Sequence, residues 1–129
     1  MIGSAAPIVL VVDDDRVQVA LLTSLLERAG FRVISAPSGV AALAALEQAG
    51  DASRAISLLV TDLDMPGRDG RAFARAVRKQ HPKLKVLYVT GNTNELFRSG
   101  QLLEAHEAFL SKPVTPQLLR EAVAMLLPR

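Results

Sequence analysis

The apolar positions fall into two alternating kinds of run. Short, nearly continuous stretches rich in β-branched residues recur along the chain: "IVLVVD" (8–13), "FRVISA" (31–36), "ISLLVT" (56–61), "LKVLYVT" (84–90) and "AFLS" (108–111). The first, a continuous apolar run, predicts a strand covered on both faces, and the others are read as strands beside it. Helical spacing fills the gaps. "RVQVALLTSLLERAG" offers Val17, Leu21, Leu22, Leu25 and Ala29 as an apolar stripe and stops at Gly30. An Ala-rich helix is predicted from 38 to 49, and "GRAFARAVRKQHP" is a helix ended by Pro82. Residues 93–105 make a poorer helix with Ser99 and Gly100 inside it. Glycine costs about 1 kcal/mol relative to alanine there, so this helix is expected to be short, shifted or mobile. The last helix, "TPQLLREAVAMLL", has Thr115 as N-cap and Pro116 at its first position.

Five βα units in succession predict a single-domain α/β fold, a doubly wound five-stranded parallel sheet with right-handed crossovers. In such sheets the binding crevice lies beyond the carboxyl ends of the strands. Chemistry-bearing residues fall there. The first strand runs into Asp13, Asp14 and Asp15, the third into Asp62, the fourth ends at Thr90, and Lys112 follows the fifth. The second ends blandly at Ala36 and Pro37, as an edge strand would.

Composition narrows the picture further. A chain of 129 residues suits one domain, 1–129, with residues 1–6 expected to be a flexible N-terminus. Aromatics are 4% of the residues, so the core must be built from Leu, Val, Ile and Ala. A net charge of +2, with Lys and Arg scattered, gives no direct nucleic-acid surface. Without cysteine there is no disulfide framework and no thiolate metal site. "MIGSAAPIVLVVDDD" has no basic leader, and no stretch approaches the roughly 20 apolar residues of a membrane span. The expected setting is the cytoplasm, with no membrane contact.

Clustered carboxylates repel one another unless a cation sits among them. An all-oxygen set of few ligands favours Mg²⁺. Asp14 and Asp62 are the expected carboxylate ligands, the Asp64 backbone carbonyl a third, and Asp13 holds a metal-bound water, while Asp15 caps the first helix. A carboxylate beside such a metal can attack a phosphoryl group. Lys112 would neutralise one phosphoryl oxygen, and Thr90 with the N–H groups after it another; Gly91 leaves room for the incoming group. The set is complete for an acyl phosphate on Asp62.

These motifs resemble the receiver domain of bacterial two-component response regulators. "VLVVDDD" (9–15), "LLVTDLDMPGRDG" (58–70), "VLYVTG" (86–91) and "AFLSKP" (108–113) occur in the family's order and spacing. The resemblance implies a flavodoxin-like (βα)₅ fold with strand order 2-1-3-4-5. It makes Asp62 the phosphoacceptor, Asp13 and Asp14 the acidic pair, Lys112 the active-site lysine, Thr90 the switch hydroxyl and Phe109 the switch aromatic. It implies a cis bond between Lys112 and Pro113. The phosphodonor would be a histidine kinase or a histidine phosphotransfer protein. Thr90 would be drawn to the new charge, Phe109 would turn into the space it leaves, and a partner would read the face made by helix 4, strand 5 and helix 5. The chain would not be an enzyme on external substrates, catalysing only its own phosphorylation and dephosphorylation. The 90–110 segment looks more like the receivers of hybrid sensor kinases than like those of DNA-binding regulators.

Taken singly, each feature has a plainer reading: Asp13 to Asp15 as a helix cap, Asp62 and Asp64 as turn residues, Lys112 as a surface lysine, Phe109 as core. His81 and His106 are expected to face solvent. Two rivals stand beside the receiver reading. A degenerate receiver would act as a phosphorylation-independent binding module. A haloacid-dehalogenase-type phosphatase would use "TDLDM", but would carry it on the first strand.

Overall fold

The computed structural model describes residues 7–50, 56–65, 68–91 and 106–127. The expected flexible N-terminus, 1–6, and the expected helix over 93–105 lie outside the described residues. Within them the chain runs β1 (Ile8–Val12), α1 (Arg16–Arg28), β2 (Arg32–Ala36), α2 (Gly39–Ala49), β3 (Ile56–Thr61), β4 (Asp64–Met65), β5 (Arg68–Asp69), α3 (Gly70–Gln80), β6 (Lys85–Thr90), β7 (Glu107–Ser111) and a last helix (Pro116–Leu126). Five strands form one parallel sheet in the order β2-β1-β3-β6-β7. Counting those strands alone, this is the flavodoxin-like order 2-1-3-4-5.

The three central strands, β1, β3 and β6, are buried on both faces, while the edge strands β2 and β7 are only partly covered, and side chains divide with period two. Ile8, Leu10 and Val12 join Leu59, Phe73 and Tyr88 in one core on the α2 and α3 side. Val9 and Val11 join Leu22, Leu26, Val60 and Leu119 in the other, under α1 and the last helix. A near-continuous apolar strand is what two cores on either side of one sheet demand.

Helix ends follow local chemistry. Asp15 caps α1, accepting from the N–H groups of Val17 (2.9 Å) and Gln18 (3.3 Å). At its other end Gly30 sits at φ 98°, its N–H donates to Glu27 O and that of Phe31 to Leu26 O. This paired arrangement closes the last carbonyls and needs a residue tolerant of positive φ. Ser38 and Thr115 cap α2 and the last helix through their hydroxyls. Arg78 donates to the carbonyls of Leu84 (3.0 Å) and Pro82 (2.6 Å), fastening the turn between α3 and β6.

Two expectations need correction. The apolar stripe of α1 is rotated: Leu22 and Leu26 are buried, with Val19 and Leu25 partly so, while Val17, Leu21 and Ala29 are exposed. Adjacent apolar residues at 21–22 and 25–26 fit two neighbouring stripes, and packing on the sheet selects the second. His81 and His106 are half-buried rather than solvent-facing. The short antiparallel pairing of β4 with β5 was not visible in the apolar pattern, because strands of two residues are too short to show a period.

Candidate functional site

Among the described residues, the buried polar or charged ones are Asp13, Thr61, Asp62 and Thr90. All four lie at the carboxyl edge of the sheet. Buried polar groups cost free energy unless paired, so their collection at one edge marks a site rather than an accident of packing.

Backbone bonds carry the sheet's order past the strand ends and place each side chain. The Asp13 N–H donates to Ala36 O (3.3 Å), that of Asp62 to Val12 O (3.3 Å), and that of Lys112 to Thr90 O (2.9 Å). The Thr61 hydroxyl donates to Asp62 O at 3.1 Å. The Lys112–Pro113 peptide bond is cis.

Lys112 Nζ reaches two carboxylates at once, Asp62 Oδ2 at 3.0 Å and Asp13 Oδ2 at 3.1 Å. Asp13 also accepts from the Asp15 N–H at 2.9 Å. Burial lowers the proton affinity of the Lys112 ammonium, but its bonds to Asp62 and Asp13 outweigh that and hold its pKa above the ordinary value. Burial raises the Asp13 carboxyl, and neither the Asp15 N–H nor Lys112 fully offsets it. Asp14 is exposed at the rim. Asp13, Asp14 and Asp62 each offer an oxygen, and these atoms lie within 4.8 Å of one another. Among the described residues, one ammonium is paired with two of the three clustered carboxylates. That surplus of negative charge on hard oxygen donors, open on the Asp14 side, fits a small divalent cation such as Mg²⁺.

The structure thus brings together Asp13, Asp14, Asp62 and Lys112, with Thr90 buried on the neighbouring strand. Phe109 is half-buried against the core that holds Tyr88, in register beside it. An added Cβ at Gly91 would meet nothing within 4 Å among the described residues. Asp64 pairs with Asp69 across the short β4–β5 ladder just beyond the acceptor position.

Sequence reasoning passed over Gly70. A Cβ there would collide with the carbonyl oxygen of Asp62 and lie 2.9 Å from Leu63 Cα, while the Gly70 N–H donates to Leu63 O at 3.0 Å. The helix start is thereby pressed onto the loop that carries Asp62. The signal was the glycine opening α3, a position where close approach of backbone to backbone admits no side chain. Gly70→Ala is expected to destabilise the fold by about 1–3 kcal/mol, the usual range for overpacking. Urea denaturation checks it, and an unchanged midpoint would contradict the contact.

Comparison with known proteins agrees with this geometry. The family described as response regulator receiver domain matches residues 9–124. The chain is 32% identical over 126 residues to the sensor kinase CckA of Brucella abortus, an alignment covering 98% of this chain and 13% of that protein. It is 35% identical over 121 residues to the transcriptional regulatory protein CpxR of Escherichia coli, covering 94% and 49%. Among solved structures, the chemotaxis protein CheY4 of Vibrio cholerae matches with a TM-score of 0.79 at 29% identity, covering 95% of this chain and 100% of that one. The chain therefore spans only a fraction of the two curated relatives, and a sensor kinase and a transcriptional regulator both stand among them. Among the described residues, no helix is long and apolar enough to cross a membrane.

Proposed function

The chain belongs to the response regulator receiver family, and from that membership we propose that it accepts a phosphoryl group on Asp62 from a phosphohistidine donor. The observation that carries the proposal is the Lys112 ammonium bound to Asp62 and Asp13 at a rim where three carboxylates converge.

The donor class follows from family membership: a histidine kinase or a histidine phosphotransfer protein. A carboxylate oxygen of Asp62 attacks phosphorus, the P–N bond to the donor imidazole breaks, and the imidazole leaves with a proton. Mg²⁺, held by Asp14, Asp62 and the Asp64 carbonyl with Asp13 behind them, would supply charge neutralisation for the phosphoryl oxygens. Lys112 donates to a second oxygen. Thr90 and the N–H groups after it take the third, in the space beside Gly91. These groups act by placement and charge, which is most of what phosphoryl transfer requires.

The phosphorylated side chain carries about −1.5 to −2 charge by analogy with other phosphorylated residues, enough to draw Thr90 towards it. Phe109 then turns into the vacated space. The face of helix 4, strand 5 and helix 5, in the family's naming, changes and a protein partner reads it. The chain acts on its own Asp62 and on no external substrate. It works in the cytoplasm without contacting nucleic acid or membrane. The phosphatase alternative does not accord with family membership.

The test is incubation with Mg²⁺ and acetyl phosphate, followed by proteolysis and mass mapping. One added phosphoryl group on the peptide holding Asp62 is expected. No labelling, or labelling elsewhere, would refute the proposal and favour a degenerate receiver.

Asp64 is two residues past the acceptor in the chain, a position from which a side chain overlooks the path of an attacking water in receiver domains. Asp64→Ala is expected to lengthen the phosphate's lifetime by more than about twofold, read as first-order decay of labelled protein. A smaller change would remove Asp64 from the hydrolytic step.

A further inference from the structure

Away from the acidic rim lies a buried ionisable cluster with no part in the proposed transfer. Tyr88 is fully buried on β6, two residues before Thr90, and its register partner is Phe109. Its hydroxyl donates to Glu107 Oε2 at 2.8 Å. Arg71 Nη2 lies 3.8 Å from Glu107 Oε1, and its guanidinium carbon lies 5.7 Å from the centroid of the Tyr88 ring. The side chains of Arg71 and Glu107 are only 12% and 10% exposed. Burial, and then the bond to Glu107, push the Tyr88 phenol above its ordinary pKa, so the hydroxyl stays protonated and donating. A carboxylate so nearly buried is tolerated because it is both paired and hydrogen-bonded.

The position of the cluster gives it a second meaning. Arg71 directly follows Gly70, the residue pressed against the Asp62 carbonyl and bonded to Leu63. Glu107 stands two residues before Phe109, on the same face of β7. Phe109 packs in the same core as Tyr88. The three side chains therefore tie the start of α3, behind the acceptor loop, to the strand that carries the switch aromatic. The Tyr88 ring lies beside Phe109 in register, and the Tyr88–Glu107 bond holds that ring in place.

We infer that Arg71, Glu107 and Tyr88 form a latch that holds β7 and Phe109 in the arrangement seen here, so that loosening it brings the phosphorylated arrangement within easier reach. These are positioning residues and touch no reacting atom. The inference rests on the proposed receiver function. Its physical content is a two-state element biased from both ends: what favours the switched arrangement must also tighten binding at Asp62.

The chain has one tyrosine and no tryptophan, so its near-ultraviolet emission reports on Tyr88 alone. Wild type and Glu107→Gln are titrated with beryllofluoride in the presence of Mg²⁺. Binding is followed by tyrosine emission and, independently, by backbone amide shifts of the Asp62 loop. Tyr88→Phe, which keeps the ring and removes only the hydroxyl, is followed by amide shifts and covers the case in which Glu107→Gln folds poorly. Wild-type emission is expected to rise on saturation, as the tyrosine hydroxyl loses its carboxylate acceptor. In Glu107→Gln it starts higher and changes less. Both variants are expected to half-saturate at about fivefold lower beryllofluoride, the low end of ordinary coupling between sites. Unchanged half-saturation in both variants, with amide shifts showing the ligand bound, would overturn the latch and leave the receiver function standing. No amide shift in wild type would overturn the receiver function, and the latch with it.

Discussion

Asp62→Asn is expected to take up no phosphoryl group from acetyl phosphate and Mg²⁺, yet to unfold within about 1 kcal/mol of wild type. The two halves of this result have separate causes. An amide oxygen is a far weaker nucleophile than a carboxylate, because its lone pair is delocalised and it carries no charge to direct at phosphorus. The amide nevertheless fills the same volume at a buried position and still offers an oxygen to Lys112. Lys112 keeps Asp13 at 3.1 Å, so the ammonium is not stranded. Removing one of three converging carboxylates also relieves repulsion, which offsets part of the lost ion pair. Mass measurement of the intact protein and urea denaturation decide the matter together. A folded Asn variant that still gains a phosphoryl group would move the acceptor to another residue.

How far the sequence reaches is instructive at particular positions. Asp15 and Thr115 could be read as caps, because a cap is a contact between near neighbours in the chain, while Ser38, expected as the first helical residue, proves to be the cap of α2. The five sheet strands were legible for the same local reason: β-branched apolar runs of the right length, set between helical spacings. The joining of Asp13 to Asp62 and Lys112 is non-local, spanning 50 residues between the last two, but parallel order carries the ends of the strands to one edge and makes it inferable. What stayed hidden depended on packing. Whether Leu21 or Leu22 faces the sheet turns on a rotation of α1 that the spacing leaves open. The Gly70 contact with Asp62 is backbone on backbone and leaves no side-chain pattern. Glu107 reads as a surface acid until Tyr88 and Arg71 are placed beside it.

Lys112→Ala is expected to slow phosphoryl uptake from a small donor by about 10²–10³, the loss usual when one donor to a developing oxyanion is removed. On the proposed function the lysine has two duties, and alanine separates them. In the structure as it stands, the ammonium offsets the buried Asp13 and Asp62 carboxylates at 3.1 and 3.0 Å. Stripping one partner from a fully buried pair costs about 3–5 kcal/mol, but the Lys112 side chain is 25% exposed and water can partly replace it, so a loss of about 1–3 kcal/mol is expected. A divalent cation that binds the folded carboxylates recovers that loss by mass action, so the variant's stability should rise more steeply with Mg²⁺ than that of wild type. The rate should not recover, because a cation held by the carboxylates does not replace the ammonium proposed to donate to a phosphoryl oxygen. Lys112→Arg should restore stability better than rate, since a planar fork matches a carboxylate pair but misplaces a point charge. Denaturation midpoints against Mg²⁺ concentration, beside initial rates of labelling, separate the two duties. A labelling rate for Lys112→Ala within about threefold of wild type would reduce the residue to a structural counter-ion.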